Sequence, residues 1–478
     1  MNKSAVFAGA VIVVAAAYAG SAWYVGMEAE KTIRAAVEQA NERMAQSWGP
    51  ESGTVRATLA IEDYQRGLFS SNARYSLLVQ DDDERIELAM QDAMQHGPFP
   101  WGLIKQGSFE PLLAYSQSQL VDTESVKRWF DAARGTMPLQ ADTRIGFGGQ
   151  GKTVWELAPL EWAADGDQFS FSGGHITINF SNDLRDSDGT AHFDSLVVGG
   201  GPDGENVSLK GMRLESQART AADESIRVDT SLQVAAVEVD TITSERVVLE
   251  ETAVTWNSTQ QGAVLDAAAR YEIKRILVGG QNIGNVVVGG KADRLDLEAF
   301  SALVSEYDAI AHEHGVEEGE DFDPTVEDQE RMLARLVPVL ATRPEIALDP
   351  LVWRNEKGES SLALSVALQP LAEEGANLQE DVMLTALREL RLDIALSRSM
   401  LMQLVTSTAG NDGESAQLEM LAAFMYDTYV GQLEEAGLVR RDGDRDMATL
   451  VYSDGMVDIN GQAISLPEFL MFLSLFGL

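Results

Sequence analysis

The chain has 478 residues, is 45% hydrophobic, and carries 75 acidic against 36 basic residues, a formal net charge of −39. It has the apolar content of a folded protein with a sizeable core, and its charge repels nucleic-acid phosphates and, over most of the chain, anionic lipid, so nucleic acid is the partner class least suited to it. There is no cysteine, which removes disulfides, thiolate metal sites, a cysteine nucleophile and a lipidated cysteine.

From Ser4 to Met27 no charge occurs over 24 positions. A membrane-crossing helix needs about 20 mainly apolar residues, and Trp23 and Tyr24 stand where an interfacial aromatic belt would lie. The expected arrangement is a cytoplasmic N-terminus at residues 1–4, a transmembrane helix or uncleaved signal anchor at 5–27, and a juxtamembrane helix at 28–50, in which Ile33, Val37, Ala40 and Met44 share one face. The small residues Ala17 and Ala19 leave signal-peptide cleavage as the alternative. Lys3 favours an inside N-terminus. The bulk of a single-pass bacterial inner-membrane protein would then lie in the periplasm.

After Pro50 the spacing becomes strand-like, and residues 51–295 read as a β-rich envelope region. Val55, Ala57, Leu59 and Ile61 alternate with mostly polar neighbours, which predicts a sheet with one buried and one wet face. Asp81–Arg85 reads as a solvated hairpin tip and Pro111–Arg134 as mixed helix and loop. Residues 140–295 are almost all strand text broken by glycine-rich turns, as in a long antiparallel meander.

Residues 296–478 form a helix and strand region. Helices are predicted at 297–310 and 326–340 around an acidic loop, strands at 346–368, and helices at 397–405 and 414–436. Asn460-Gly461 signals a hairpin. Ser465 and Glu468 make a capping box before a final helix that is apolar on every side and too short to span a bilayer, so it is expected to be buried.

The chain repeats itself. Leu157–Gly173 matches Leu348–Ser365 in a Pro-Leu-x-Trp element, a polar turn and an alternating strand, with a weaker echo at Thr252–Ala267. Asp293–Val304 resembles Leu390–Val405, a strand leading into a helix, and both doublets recur in the same order. The fold class expected is α+β: a single N-terminal transmembrane helix followed by a β-dominated region with long antiparallel sheet, duplicated strand modules and packed helices.

Four stretches imitate chemical motifs. Gly146–Thr153 satisfies the phosphate-loop spacing, but β-branched alternating residues and Pro159 follow where a helix must begin, so it reads as a glycine-rich hairpin and no nucleotide is expected. Asp442, Asp444 and Asp446 have the alternate spacing of a calcium loop, with Met447 where glycine is needed and Ser453 where the bidentate glutamate belongs. His312 and His314 lack zinc-protease spacing. Ser172 and His175 sit in strand text without a nucleophile elbow. No catalytic, cofactor-binding or metal-ligating residue is singled out, and no cofactor is expected.

The stretch Gln95–Gly102, QHGPFPWG, sets His96 among Gly97, Pro98, Phe99, Pro100 and Trp101. With no companion for His96 nearby in sequence, it reads as a rigid bend with aromatic anchors and, in the second place, as an interaction site.

Together with Arg66, Gly67 and Phe69 of YQRGLFSS, the stretch RIGFGG at Arg144–Gly149, the Pro-Leu-x-Trp elements and the closing INGQAISLPEFL, this bend makes the chain resemble the YdgA-like family of Gram-negative bacterial proteins of unknown function. The resemblance spans essentially the whole chain. It implies an inner-membrane or periplasmic protein and supplies no catalytic residues. The expected role is a non-enzymatic, membrane-anchored envelope protein that scaffolds envelope partners or holds an apolar ligand. Lipid transfer in the manner of AsmA-type proteins and an envelope hydrolase with a paired-carboxylate site are the alternatives.

Overall fold

The computed structural model describes Asn41 and residues 56–67, 70–80, 85–164, 166–183, 185–200, 205–240, 245–315, 324–371, 382–407 and 412–476. The predicted membrane segment at 5–27, the hairpin tip at 81–84 and Phe69 lie outside these residues. No helix among the described residues is long and apolar enough to cross a membrane. The chain divides into two compact units, Met1–Ala222 with Val228–Leu232, and Asp223–Arg227 with Gln233–Leu478.

The first unit is an antiparallel sheet of β1 (Arg56–Arg66), β2 (Ser70–Gln80), β3 (Arg85–His96), β4 (Ala114–Leu120), β5 (Leu139–Ile145), β6 (Gly151–Leu157), β7 (Leu160–Ala164), β8 (Asp167–Phe171), β9 (Gly174–Phe180), β10 (Ser187–Gly200) and β11 (Glu205–Thr220). The strands pair in the order β1-β2-β3-β4-β5-β6-β9-β10-β11. The β7–β8 hairpin pairs with the far half of β10. Ala158-Pro159 and Ser172-Gly173 therefore interrupt what would otherwise be two long strands. Pro159 lacks the N–H a ladder needs, and Gly173 takes a left-handed φ of +77°.

Alternation decides which side chains enter the core. In β2, Ser71, Ala73, Tyr75, Leu77 and Val79 are buried at every second position, as the two-residue strand period requires. Leu59, Leu77, Leu88, Leu120, Leu139, Trp155 and Ile176 build one apolar cluster, and Tyr75, Met94, Ala114, Ile145 and Phe180 belong to a second. Between β3 and β4 lies the short helix α1 (Trp101–Lys105), and between β4 and β5 a single 3-10 turn leads into α2 (Lys127–Ala132). The helix-and-loop expectation for 111–134 is thus corrected over 114–120, where AYSQSQL is a strand. Its serines hide the alternation because they face the buried Asp92 rather than water, while its glutamines are exposed.

The second unit holds most of β12 (Ile226–Asp240), then β13 (Val247–Gln261), β14 (Val264–Val278), β15 (Gln281–Asp296), β16 (Glu345–Asn355), β17 (Gly358–Leu368), β18 (Leu387–Ser397), β19 (Arg440–Asp442), β20 (Arg445–Ser453), β21 (Met456–Ile459) and β22 (Gln462–Ser465). Antiparallel pairing runs β13-β14-β15-β16-β17-β18-β20-β21-β22, with β19 beside the start of β20.

Two pairs of helices interrupt it: α3 (Leu297–Glu313) and α4 (Val326–Ala341) before β16, and α6 (Arg398–Ser407) and α7 (Asp412–Glu435) after β18. A single turn, α5 (Val382–Ala386), precedes β18, and α8 (Leu466–Phe476) closes the chain. Asp296 caps α3 and a Thr325–Asp328 capping box starts α4. Arg331 binds Glu306 and Glu313 across the α3–α4 pair.

Both sequence doublets take matching local forms. The Pro-Leu-x-Trp copies each run into a hairpin, β7–β8 and β16–β17, and the second doublet is β15 into α3 and β18 into α6. At the end of the chain Asn460 and Gly461 form the expected hairpin with positive φ, and Ser465 and Glu468 bond each other as a capping box. The expected burial of α8 is corrected at Leu470 and Met471, which are exposed.

Candidate functional site

The Gln95–Gly102 bend is built from backbone. The Gly97 N–H donates to the Leu113 carbonyl at 2.6 Å, the Leu112 N–H to the Pro98 carbonyl at 3.0 Å, and the Gly102 N–H to the Gln95 side chain at 2.6 Å. The Gly97-Pro98 peptide is cis. Pro100 accepts from Leu103 and Ile104, opening α1. His96 Nε2 lies 3.1 Å from Ser71 Oγ on the neighbouring strand, and Ser71 itself is buried. Phe99 and Trp101 are exposed rather than anchored inside, so the aromatic-anchor reading is corrected: the pocket beneath the bend is filled by Leu103, Leu112 and Tyr115 instead. Gly67 donates back to the Ser70 carbonyl at 2.7 Å to turn β1 into β2, and Arg66 is the last residue of β1.

A polar row that the sequence reading missed crosses the buried face of the first unit. Asp92 of β3 is fully buried and accepts hydrogen bonds at 2.5 Å from both Ser116 and Ser118 of β4, while its second oxygen, Oδ2, has no partner. Burial raises its carboxyl to about 7 against the pull of the two serines. One pair of strands farther on, Thr143 and Thr153 share a hydrogen bond at 3.0 Å. Strand parity was the available signal, since Leu88, Met90, Asp92, Met94 and His96 fall on one face of β3.

The motif imitations are absorbed into structure. Gly146–Gln150 is the β5–β6 turn and β6 begins at Gly151, so no helix faces a phosphate. Asp444 accepts from Ser397 and Ser399, whereas Asp446 accepts from Tyr426 and Arg441. His314 pairs with Asp328, whose carboxyl is held down at about 2 by hydrogen bonds from Thr325 and His314. Ser172 Oγ donates to the Gly173 carbonyl and accepts from the Ser195 N–H. Among the described residues, no group of acids and histidines could hold a metal ion. The buried carboxylates Asp92, Asp328 and Asp446 each serve a separate local network, so the two buried carboxyls in one cleft that the hydrolase alternative requires are not found among them.

The second unit offers a different surface. Following the pairing from strand to strand, Val254, Tyr271, Val288, Leu351, Leu362, Ile394 and Ala448 stand side by side across β13 to β18 and β20. Every one of them is half-buried. Leu364, Leu392 and Leu450 form a second such row next to it. The apolar clusters described for the first unit have no counterpart among the described residues here.

Helix α6 packs on this sheet: Met400 is buried and its carbonyl accepts from Asn355. Arg398 of α6 in turn holds Asp427 of α7 through two hydrogen bonds. Helix α7 leaves Leu418, Met420, Leu421, Phe424, Met425 and Tyr429 exposed, Phe424 at 69%. Six large apolar side chains on one helix are more than scattered surface hydrophobes. A polar recess of about 370 Å³ lies in the same unit, lined by Arg388, Tyr452 and Asp454 among others.

Comparison with known proteins gives no reaction to fit to these surfaces. A family model described as "Bacterial protein of unknown function (DUF945)" matches residues 1–467. Protein YdgA of Escherichia coli K12 is 26% identical over 98% of this chain and 96% of its own length, and the uncharacterized protein YihF of the same organism is 22% identical over 98% of each. An uncharacterized protein of Haemophilus influenzae is 25% identical over 37% of the chain. No solved structure matches. A match over nearly the whole length, with relatives spanning both units, makes this chain a member of the DUF945 family.

Proposed function

We propose that this chain is a non-enzymatic, membrane-anchored binding protein of the bacterial envelope, held in the inner membrane by residues 5–27 and holding an apolar molecule or partner against its second unit. The observation that carries the reading is the exposed apolar surface of α7, in a unit whose sheet also carries half-buried apolar rows. Burial of apolar area contributes about 25 cal/mol per Å², and methionine side chains adapt to ligands of varied shape.

The longer row crosses seven strands, and neither row has a charged member. That continuity favours, as a second reading, lipid handling in the manner of AsmA-type envelope proteins, in which an acyl chain would lie along the sheet.

The test is native extraction of the full chain followed by mass spectrometry, alongside a Leu421→Ser/Phe424→Ser variant. The expected result is a copurifying apolar molecule or partner chain that the variant loses. A wild-type chain carrying neither would remove the support for this role.

A further inference from the structure

Among the described residues of the first unit, the exposed large apolar side chains are Phe99, Trp101, Phe109, Phe147 and Val198. Four of the five gather at one end of the sheet. Phe99, Trp101 and Phe109 belong to the connection from β3 to β4, and Phe147 to the turn from β5 to β6. The two connections are neighbours, since the Leu113 N–H donates to the Ile145 carbonyl at 2.8 Å and Arg144 binds Glu110 at 3.3 Å. Trp101 and Phe109 are 64% and 70% exposed.

The charge of this end departs from that of the chain. Residues 97–113 and 144–152 contain three basic residues, Lys105, Arg144 and Lys152, against the single acid Glu110, in a protein of net charge −39. Lys105 Nζ lies 5.9 Å from the centre of the Trp101 ring. The adjoining connection at 181–186 bears Asp183, Arg185 and Asp186 and shows no exposed large apolar side chain among its described residues. Exposed aromatic rings with lysine and arginine beside them are the composition of a surface that rests in the headgroup layer of a bilayer.

Chain length is compatible with that placement. The side chain of Asn41 holds both backbone groups of Leu59 on β1, at 2.9 and 2.8 Å. From Leu59 to the end of β1 at Arg66, the end that carries the aromatic connections, is roughly 24 Å at 3.4 Å per residue. The fourteen steps from Met27 to Asn41 cover about 21 Å at the helical rise and about 46 Å fully extended, which brackets that distance. A bilayer segment ending at Met27 is therefore within reach.

We infer that the end of the first unit formed by residues 97–113 and 144–152 docks on the lipid surface of the membrane that anchors the chain. The inference rests on the anchor part of the proposed function and not on the apolar surface of the second unit. Phe99, Trp101, Phe109 and Phe147 enter the interface, and Lys105, Arg144 and Lys152 meet lipid phosphates.

The absence of cysteine makes a direct test available. The full chain carrying Phe109→Cys, Phe147→Cys or Val198→Cys, each labelled with an environment-sensitive fluorophore, is reconstituted with vesicles of phosphatidylethanolamine and phosphatidylglycerol, and flotation is scored before quenching by brominated lipid. The expected result is a floating chain in which the labels at 109 and 147 lose most of their emission and the label at 198 keeps it. A chain that floats with all three labels unquenched overturns the docking alone; a chain that does not float overturns the anchor and the docking together. Equal quenching at all three positions also overturns it, because lipid contact would then not be confined to this end.

Discussion

Gly97 and Leu112 stand so close that a Cβ at position 97 would overlap the Leu112 carbonyl oxygen. The contact is backbone against backbone, so no side-chain movement relieves it. Gly97→Ala should destabilise the protein by about 3 kcal/mol, whereas His96→Ala, which removes the Ser71 contact, should cost about 1 kcal/mol. Denaturant unfolding of the two variants checks this; a milder effect at 97 than at 96 would mean that the bend yields easily.

Asp92 gives the protein a pH dependence of known sign. Its carboxyl titrates at about 7 when folded against 3.8 for the ordinary group, so the folded state holds the proton more tightly than the unfolded one. The associated stability is complete below about pH 4 and is lost as pH rises through 7. A shift of about 3 units corresponds to at most about 4 kcal/mol. Asp92→Asn should leave stability little changed at pH 4 and raise it at pH 8. Thermal unfolding curves of the two proteins that stay parallel from pH 4 to pH 8 would contradict the assignment.

Asn41 occupies the free N–H and carbonyl of Leu59 on strand β1, whose pairing partner among the described strands is β2. An unpaired strand edge is a template for association. Asn41→Ala should lower stability by about 1–2 kcal/mol and increase light scattering on mild heating; unchanged scattering would show that the edge is protected by other means.

Exposed side chains contribute little to folding, so Leu421→Ser/Phe424→Ser should change stability by no more than about 0.5 kcal/mol. A fall of several degrees in melting temperature would place these residues inside a packed interface.

Much of the fold was legible because alternation is a local property. The strands from 140 to 295 and the hairpin at Asn460-Gly461 follow from residues a few positions apart. Strand β4 was not legible: Ser116 and Ser118 look solvated until Asp92, over twenty residues earlier, is placed beside them. The apolar row from Val254 to Ala448 was out of reach for the same reason, since its order depends on register carried through six strand pairings and past two helix pairs. The capping box of α8 was readable, but its environment was not, because an apolar helix implies a partner without naming it.

The row through Asp92 has a further consequence for how this sheet finds its pairing. Apolar alternation alone tolerates more than one alignment of β2, β3 and β4, because leucines and alanines recur along all three. Sliding β3 by one residue would turn Asp92 out to water and set Ala93 and a glutamine opposite Ser116 and Ser118 in place of their acid partner. A buried acid with a raised affinity for its proton thus works as a key: it weakens the sheet at alkaline pH, yet only the native register gives Ser116 and Ser118 their acid partner.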